Sequence, residues 1–220
     1  GLTNNYFGYD NLGAASDRPY GGTGSSYADP SLASFMGTLT YTLLDRYTLN
    51  LTTRADGSSM VGKDHTWGIF PSISATWDMK KESFLRNNKS ISLLNFRTGY
   101  GRSGNLGGIS SYLTLRQYIP VGLISYNGTP TVTMGTLRNS NPDLRWETRS
   151  TFNIGTDFGL FNNRLLLTAE YYYSKTTDML YEYDVPVPTF AFDKLLANIG
   201  SMSNSGFELG IGIVPISKKD

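Results

Sequence analysis

Few residues in this 220-residue chain have the types and spacing that catalysis or metal binding requires. The absence of cysteine excludes disulfides, thiolate zinc sites and thiol nucleophiles within it. The single histidine, His65, has Asp64 beside it and Asp56 nearby, but no nucleophile motif accompanies them. A lone histidine of this kind is most often a solvated or hydrogen-bonded surface residue. We therefore predict no enzymatic activity, no metal site and no cofactor.

Two short motifs resemble known ligand-binding motifs, one for dinucleotides and one for calcium. Residues 99–104 match G-x-G-x-x-G, but a dinucleotide site needs a helix to begin there, and residues 105–110 (NLGGIS) cannot nucleate one. The glycines are better interpreted as the end of a strand that enters a loop. Residues 56–59 (DGSS) lack the further oxygen ligands and closing glutamate of a calcium loop. For these residues we predict a tight turn.

Composition favours a β-protein. Charged residues are only 17% of the chain, where a soluble domain has about 25%. Aromatic residues reach 13%, and Gly, Tyr, Thr, Ser and Asn are abundant. The net charge of +1 gives no indication of nucleic-acid binding. The longest uncharged stretch, residues 117–137, contains Pro120 and Pro130 and is predicted to be a loop rather than a membrane helix.

Seven runs of residues alternate between apolar and polar side chains with the period of a β-strand. In every run the charged residues of the alternating stretch fall on the Thr/Asn/Ser face, and the Leu/Ile/Phe face is free of them. The runs are residues 35–43, 47–54, 69–77, 94–100, 146–158, 165–174 and 207–213. A half-buried sheet of a soluble sandwich would show the same alternation, so that alternative stays open at this point.

The connections between the runs alternate between short and long, although residues 78–92 form a longer turn than this rule expects. Outer-membrane barrels have tight periplasmic turns, long extracellular loops and strands of about ten residues with apolar side chains facing lipid. Aromatic residues flank the runs as two membrane-interface girdles would. They are Tyr47, Trp77 and Phe158 at the short-turn ends, and Trp67, Tyr100, Trp146 and Tyr173 at the long-loop ends. The pattern predicts an antiparallel transmembrane β-barrel segment.

Five blocks of sequence resemble the barrel of SusC-like TonB-dependent outer-membrane transporters. They are residues 54–59 (RADGSS), 67–77 (WGIFPSISATW), 96–105 (FRTGYGRSGN), 141–147 (NPDLRWE), and 198–200 (NIG) with 206–208 (GFE). The blocks occur in the family's order and approximate spacing, and together they cover about residues 34–214.

The resemblance implies about seven or eight strands of a barrel of about 22 strands in the outer membrane of a Gram-negative bacterium. It implies import of oligosaccharides, or less often peptides, with a SusD-like surface lipoprotein as partner and energy from the TonB complex. The plug domain and the TonB-contacting segment are not in these residues. We predict an extracellular loop at residues 1–33 and a partial barrel at residues 34–220, with long extracellular loops at about 102–143 and 176–205.

Seven strands is an odd number, whereas bacterial single-chain barrels have even counts. Either residues 179–185 supply an eighth strand or neighbouring chain is missing, and Pro186 and Pro188 favour the second interpretation. A passive porin or structural barrel, and a soluble β-sandwich binding module, are the alternative functions.

The polar faces of the runs predict which side chains point into the lumen, where they would contact the plug, water or passing substrate. These candidates are Asn50, Arg54, Asn95, Arg97, Glu147, Arg149, Asn153 and Glu170. The first two runs are predicted to form a hairpin with Leu39 opposite Leu51 on the outward side. Alternating strand directions place Asp45, Lys81 and Asn162 at one end of the sheet. They place Gly57, Gly107 and Pro188 at the other, together with the long segments.

Overall fold

The computed structural model describes residue 25 and residues 27–215. These residues form nine strands and two short 3₁₀ turns, and none of their helices is long and apolar enough to cross a membrane. The strands are β1 (Leu32–Leu43), β2 (Tyr47–Ser58), β3 (Trp67–Asp78), β4 (Ile91–Asn105), β5 (Tyr118–Tyr126), β6 (Thr129–Thr136), β7 (Glu147–Leu160), β8 (Leu165–Asp184) and β9 (Lys194–Ile213).

Seven of the strands make one antiparallel sheet in the order β1-β2-β3-β4-β7-β8-β9, and β5 and β6 form a separate hairpin. The seven strands of the sheet correspond to the seven alternating runs of the sequence. Their apolar face is uncovered by any described residue: on β9, Phe207, Leu209 and Ile211 are 64%, 71% and 70% exposed. The sheet therefore presents an apolar surface that water would not tolerate at this size.

The first hairpin has the predicted register, since Leu39 pairs with Leu51. The turn between its strands is closed by a hydrogen bond from the Arg46 amide to the Leu43 carbonyl. Its central residues, Leu44 and Asp45, have φ values of 51° and 55°, as a type I′ turn requires.

A second tight turn joins β7 to β8 at the same end of the sheet. Asn162 and Asn163 were predicted to turn because Asn tolerates positive φ, and their φ values are 58° and 63°. The Ser92 hydroxyl donates to the Asn163 side-chain oxygen at 2.7 Å and ties this turn to the start of β4. Lys81 Nζ donates to the Asp45 carbonyl at 2.7 Å, so the turns after β1 and β3 also meet there.

The longer connections lie at the opposite end, where they contact each other. The Gly62 amide donates to the Leu144 carbonyl at 2.7 Å, and Asn139 Nδ2 donates to the Phe192 carbonyl at 2.6 Å. The predicted loop at residues 1–33 falls mostly outside the described residues, and β1 already begins at Leu32. The division into a short-turn end and a long-loop end follows from the antiparallel order.

The predicted loop at residues 176–205 needs correction, because β8 and β9 occupy most of it and leave only residues 185–193 between them. The register of β8 and β9 shifts between Thr176 and Met179, where Asp178 adopts a φ of 57°. This bulge ends the simple alternation of side chains, which is why the sequence pattern appeared to stop near Ser174. Residues 179–185 are the continuation of β8 up to Asp184, so they are not an eighth strand of the sheet.

The predicted loop at residues 102–143 is also partly strand. β4 continues to Asn105, and the uncharged stretch at residues 117–137 forms the β5–β6 hairpin around Asn127 and Gly128, whose φ values are 51° and 77°. Asn-Gly is a strong hairpin signal, and the prolines on either side concealed it. The hairpin projects from the long-loop end.

Candidate lumen site

The polar face of β1 and β2 is held together by hydrogen bonds between side chains that face each other across the strands. Thr40 Oγ1 donates to Asn50 Oδ1 at 2.8 Å, and the Thr38 and Thr52 hydroxyls are 3.2 Å apart. Leu49 and Leu51 alternate with these residues and so lie on the apolar face. Asn50 therefore points away from the face that carries Leu39, as the register requires.

Further along the sheet, the polar face carries a row of residues that crosses four strands. Arg97 pairs with Gly155, Gly155 with Glu170, and Glu170 with Glu208. The Arg97 guanidinium passes over Gly155 and reaches Glu170 Oε2 at 3.1 Å. A Cβ at Gly155 would lie 3.4 Å from Arg97 Nη2 and 3.1 Å from a backbone carbonyl. The glycine thus leaves the space through which arginine and glutamate meet.

An acceptor at one end and a donor at the other fix this ion pair. Arg97 Nε donates to Asp157 Oδ2 at 2.8 Å, and Asn153 Nδ2 donates to Glu170 Oε1 at 3.3 Å. The Thr168 hydroxyl donates to the second Asp157 oxygen at 3.1 Å. Because Arg97 is paired with both Asp157 and Glu170, these three side chains form a rigid element of the polar face.

A cavity of about 590 Å³ opens beside this row, on the polar face of β7, β8 and β9. Its lining is mainly polar and belongs to three adjacent strands. The lining residues are Arg149, Thr151, Asn153, Glu170, Tyr172, Ser174, Thr176, Met202, Asn204 and Glu208. A cavity of this size and polarity can hold a ligand that hydrogen-bonds along its length.

The cavity carries one positive and one negative group that lack an ion-pair partner among the described residues. Arg149 Nε donates to the Ser174 hydroxyl at 2.7 Å, which orients the guanidinium while leaving its charge unpaired. Glu208 lies opposite Glu170, whose own charge is paired with Arg97. Ser174 and Glu170 are four positions apart along β8, or about 13 Å, so the two free charges lie at different heights along the cavity. They can bind ligand groups of opposite sign or several hydroxyls.

The structure brings together four of the eight predicted lumen residues, namely Arg97, Arg149, Asn153 and Glu170. The other four lie apart from the cavity. Asn50 bonds Thr40, Arg54 forms an ion pair with Asp56 at 2.7 Å, and Glu147 accepts from Asn105 Nδ2 at 3.4 Å. Asn95 Oδ1 is buried without a partner among the described residues. The cavity also contains residues that the prediction omitted, above all Tyr172, Asn204 and Glu208.

Aromatic residues at the long-loop end divide between two environments. Trp67 stacks on Phe35 with ring centroids 5.9 Å apart and remains 53% exposed on the apolar face, as an interface aromatic should. Trp146 was predicted for the same girdle, and this is wrong. Its ring is 9% exposed and packs edge-on against Phe70 at 5.6 Å. Trp146 ends a loop rather than sitting within β7, so strand alternation does not set its direction.

Phe70 and Trp146 belong to a small hydrophobic core at the long-loop end, with Val61 and Ile109. Leu144, at 1% exposure, lies on the loop that leads into Trp146. The core packs segments from three different connections, those after β2, β4 and β6, against Phe70 of β3. The connections at the long-loop end, which we call the mouth of the barrel, therefore have a folded structure of their own.

Asparagine side chains fasten the loops of this mouth to the extended part of β9. Asn141 Nδ2 donates to the Leu196 carbonyl at 2.9 Å. Asn198 Oδ1 accepts from the Arg145 amide at 2.9 Å, and its Nδ2 donates to the Arg145 and Asp178 carbonyls. The Arg145 guanidinium also pairs with Asp178 at 2.6 Å. Asn141 and Asn198 are thus structural links between loops and strands.

The two ligand-like motifs have structural roles. Residues 99–104 form the last part of β4, which ends at Asn105 and leads into a loop rather than a helix, as predicted. Gly104 is covered by the Phe70 ring, because an added Cβ would lie 2.1 Å from Phe70 Cζ. The tight turn predicted at residues 56–59 is wrong, since β2 runs to Ser58 and Asp56 is paired with Arg54. The described residues contain no group of three or more potential metal ligands.

The sequence profile of the family described as "TonB dependent receptor-like, beta-barrel" matches residues 1–214. The chain belongs to this family. Its seven-stranded sheet is therefore a segment of an outer-membrane β-barrel, with the apolar face toward lipid and the polar face toward the lumen. The soluble β-sandwich alternative is wrong.

Among curated relatives, the chain is 38% identical over 199 residues to the TonB-dependent receptor SusC of Bacteroides thetaiotaomicron, covering 86% of this chain and 19% of that protein. It is 36% identical over 211 residues to the TonB-dependent receptor P26 of Formosa agariphila, covering 96% of this chain and 21% of that protein. The chain thus spans about a fifth of the length of these relatives.

Solved structures agree on the fold. The RagAB peptide importer in its open-open state matches with a TM-score of 0.76 and 28% identity, over 90% of this chain and 22% of that chain. The siderophore receptor PirA of Pseudomonas aeruginosa matches with a TM-score of 0.53 and 17% identity, over 83% of this chain and 31% of that chain. The second likeness shows the barrel fold alone.

Proposed function

We propose that this chain forms part of the wall of an active outer-membrane importer. The observation that carries the proposal is the polar cavity on β7–β9, which lies on the lumen face of a sheet whose other face is apolar. A structural barrel needs no cavity with unpaired charges on its inner wall. An importer needs groups that bind cargo inside the barrel before release.

The substrate we propose is an oligosaccharide or a peptide. SusC is a relative by sequence, and RagAB, a structural neighbour, is a peptide importer. The cavity offers hydroxyl, amide and charged side chains, together with the ring of Tyr172, to a ligand of either kind. The separation of Arg149 from Glu208 suits a peptide with charged groups at both ends. The row of Thr, Ser and Asn between them suits the hydroxyls of a sugar.

The partners we propose are a SusD-like surface lipoprotein at the long-loop end and the TonB complex on the periplasmic side. Support for the first comes from the folded mouth, where the core around Phe70 and the links at Asn141 and Asn198 hold the loops in place. Short turns face the periplasm and long loops the exterior in barrels of this kind. The second follows from the family, in which TonB supplies the energy of transport.

The eight lumen candidates divide into two groups under this proposal. Arg149, Asn153 and Glu170 line the cavity and contact cargo, whereas Arg97 positions Glu170. We propose that the remaining residues, which lie outside the cavity, face the plug or water. They are Asn50, Arg54, Asn95 and Glu147.

The proposal is tested by uptake into cells that carry the intact protein. A defined mixture of oligosaccharides and a defined mixture of short peptides are supplied in the medium, and their depletion is measured by mass spectrometry. We expect one mixture to be depleted only in cells that have both the protein and a working TonB complex. Depletion that continues after TonB is disrupted would indicate a passive porin instead.

Arg149→Gln removes the free positive charge of the cavity and is expected to slow depletion severalfold. Lys175→Gln is the matched control, because Lys175 lies on the same strand as Ser174 but on the opposite, exposed face. Equal slowing in both variants would contradict the assignment of the cavity as the cargo site.

A further inference from the structure

The turn between β3 and β4, residues 79–90, is folded more firmly than its length suggests. Lys80 Nζ donates to the carbonyls of Leu85 at 3.0 Å and Asn88 at 2.6 Å. Asn88 Oδ1 accepts from the amides of Ser90 and Ile91 at 2.9 and 3.1 Å. These bonds hold the backbone of the turn in a fixed conformation.

Glu82 places this turn on the lipid side of the barrel wall. Its Oε1 accepts from the Tyr47 hydroxyl at 2.5 Å and from Trp77 Nε1 at 3.0 Å, and its Oε2 pairs with Arg46 Nη1 at 3.0 Å. Tyr47 and Trp77 stack with centroids 6.0 Å apart on the apolar face, in line with Leu49 and Leu51. A turn bonded to these two rings must lie at the outer rim and not beneath the lumen.

The turn carries one exposed apolar ring and two cations without an ion-pair partner among the described residues. Phe84 is 68% exposed, so its ring is free to enter an apolar phase beside the turn. Arg86 and Lys89 are exposed and form no ion pair with the described residues, whereas Lys80 and Lys81 are bonded to backbone carbonyls of the turns. Phe84, Arg86 and Lys89 therefore remain available to something outside the chain.

We propose that Phe84, Arg86 and Lys89 bind an anionic phospholipid of the periplasmic leaflet, with the ring among the acyl chains and the two cations on the headgroup phosphate. The proposal rests on the orientation proposed above, in which the short turns face the periplasm. The site continues the lipid-facing surface of β2 and β3, and its charge is complementary to an acidic headgroup. Aromatic rings and basic side chains occupy these depths at membrane interfaces.

The size of the effect follows from the charges. Each basic residue near an anionic lipid surface strengthens binding by about fivefold. Two cations therefore predict a preference of about 25-fold for an anionic over a zwitterionic headgroup of the same chain length. The ring of Phe84 adds affinity for both lipids alike, since burial of apolar surface does not depend on the headgroup.

The test uses the intact protein purified in detergent and titrated with dioctanoyl phosphatidylglycerol or dioctanoyl phosphatidylcholine, with bound lipid counted by native mass spectrometry. We expect the wild type to prefer phosphatidylglycerol, and R86Q/K89Q to lose that preference. The matched control K63Q/R116Q removes two exposed cations at the long-loop end and is expected to keep it. Phe84→Ser is expected to weaken both lipids equally.

Three results would overturn the proposal. They are a wild type without headgroup preference, a preference that survives R86Q/K89Q, and an equal loss in K63Q/R116Q. Because lipid binding is measured without cargo, failure here is separate from failure of the transport proposal. The exposed positions of all four cations keep the variants foldable.

Discussion

Gly104 lies under the Phe70 ring, and replacing it with alanine should loosen the mouth of the barrel. A Cβ at this position would sit 2.1 Å from Phe70 Cζ and 2.7 Å from both Cε atoms. The ring has little room to move, because its edge packs against Trp146 and an added Cβ at Gly68 would also lie 2.4 Å from Phe70 Cζ. The new methyl group therefore forces the ring out of its packed position.

The magnitude follows from two opposing effects. Overpacking a well-packed core costs about 1–3 kcal/mol. A Gly→Ala change in compatible backbone stabilises by about 0.4–1 kcal/mol, because it restricts the unfolded chain. For Gly104→Ala we expect a net loss of about 1–2 kcal/mol. Gly37→Ala is the matched control, since Gly37 lies in β1 with nothing within 4 Å of an added Cβ, and it should be neutral or slightly stabilising.

The assay is urea-induced unfolding of the intact protein in detergent, followed by the shift in electrophoretic mobility between folded and unfolded barrel. A double-mutant cycle with Phe70→Leu isolates the contact, because the smaller side chain makes room for the methyl group of Gly104→Ala. We expect the loss caused by Gly104→Ala to shrink by at least half in the Phe70→Leu background. Equal free energies of unfolding for Gly104→Ala and Gly37→Ala would refute the reasoning.

Two further predictions concern the ends of the sheet. The Tyr47 hydroxyl, and next the Trp77 indole N–H, hold the pKa of Glu82 below its ordinary value of 4.5. The stability that Glu82 contributes is thus complete above pH 4.5 and is lost as the pH falls through the lowered pKa. Glu82→Gln should therefore make the free energy of unfolding, measured in urea, depend less on pH on the acid side. An unchanged pH dependence would contradict this. Asn198→Ala leaves the Arg145 amide and carbonyl without partners and should lower the local free energy of unfolding by about 1–3 kcal/mol. Limited proteolysis on cells should then cleave residues 139–146 more readily than in the wild type. Cleavage at the wild-type rate would count against this link.

The first hairpin was predictable from the sequence down to its register. Equal spacing of the apolar residues around Asp45 leaves one pairing that keeps Leu39 opposite Leu51 and the polar residues together. A slip by one residue would have turned Arg54 toward lipid. The alternation of apolar and polar side chains can be recognised within a single strand. In a membrane barrel it has few exceptions, because placing a charged side chain in lipid is costly.

The outer extensions of β8 and β9 were not predictable in the same way. Each strand has 20 residues, or about 66 Å, whereas about ten residues suffice to cross the bilayer. Beyond the membrane, lipid no longer enforces alternation, and the bulge at Asp178 breaks what remains of it. The extension is held by pairing with loop side chains such as Asn198, which no pattern within one strand reveals.

The full lining of the cavity could not be predicted from the sequence, because it depends on which residues are neighbours across strands. Arg149, Asn153 and Glu170 line the cavity, and the sequence draws attention to them because charged and amide side chains on a polar face are conspicuous. Glu208 and Tyr172 were missed, although Glu208 had been placed on the polar face of its run. Only the order β7-β8-β9 shows that Glu208 lies beside Glu170, and only the register shows that Gly155 opens the path for Arg97.

The central claim is that side-chain alternation separates the lipid-facing side of the sheet from a polar lumen. It is tested most directly on β9 by spin labels on single cysteines introduced at residues 207–211 of the intact protein in bilayers. We predict that accessibility to oxygen, which concentrates in lipid, peaks at Phe207, Leu209 and Ile211. Accessibility to a water-soluble nickel complex should peak at Glu208. Uniform accessibility along these five residues, or oxygen maxima at the even positions, would contradict the account.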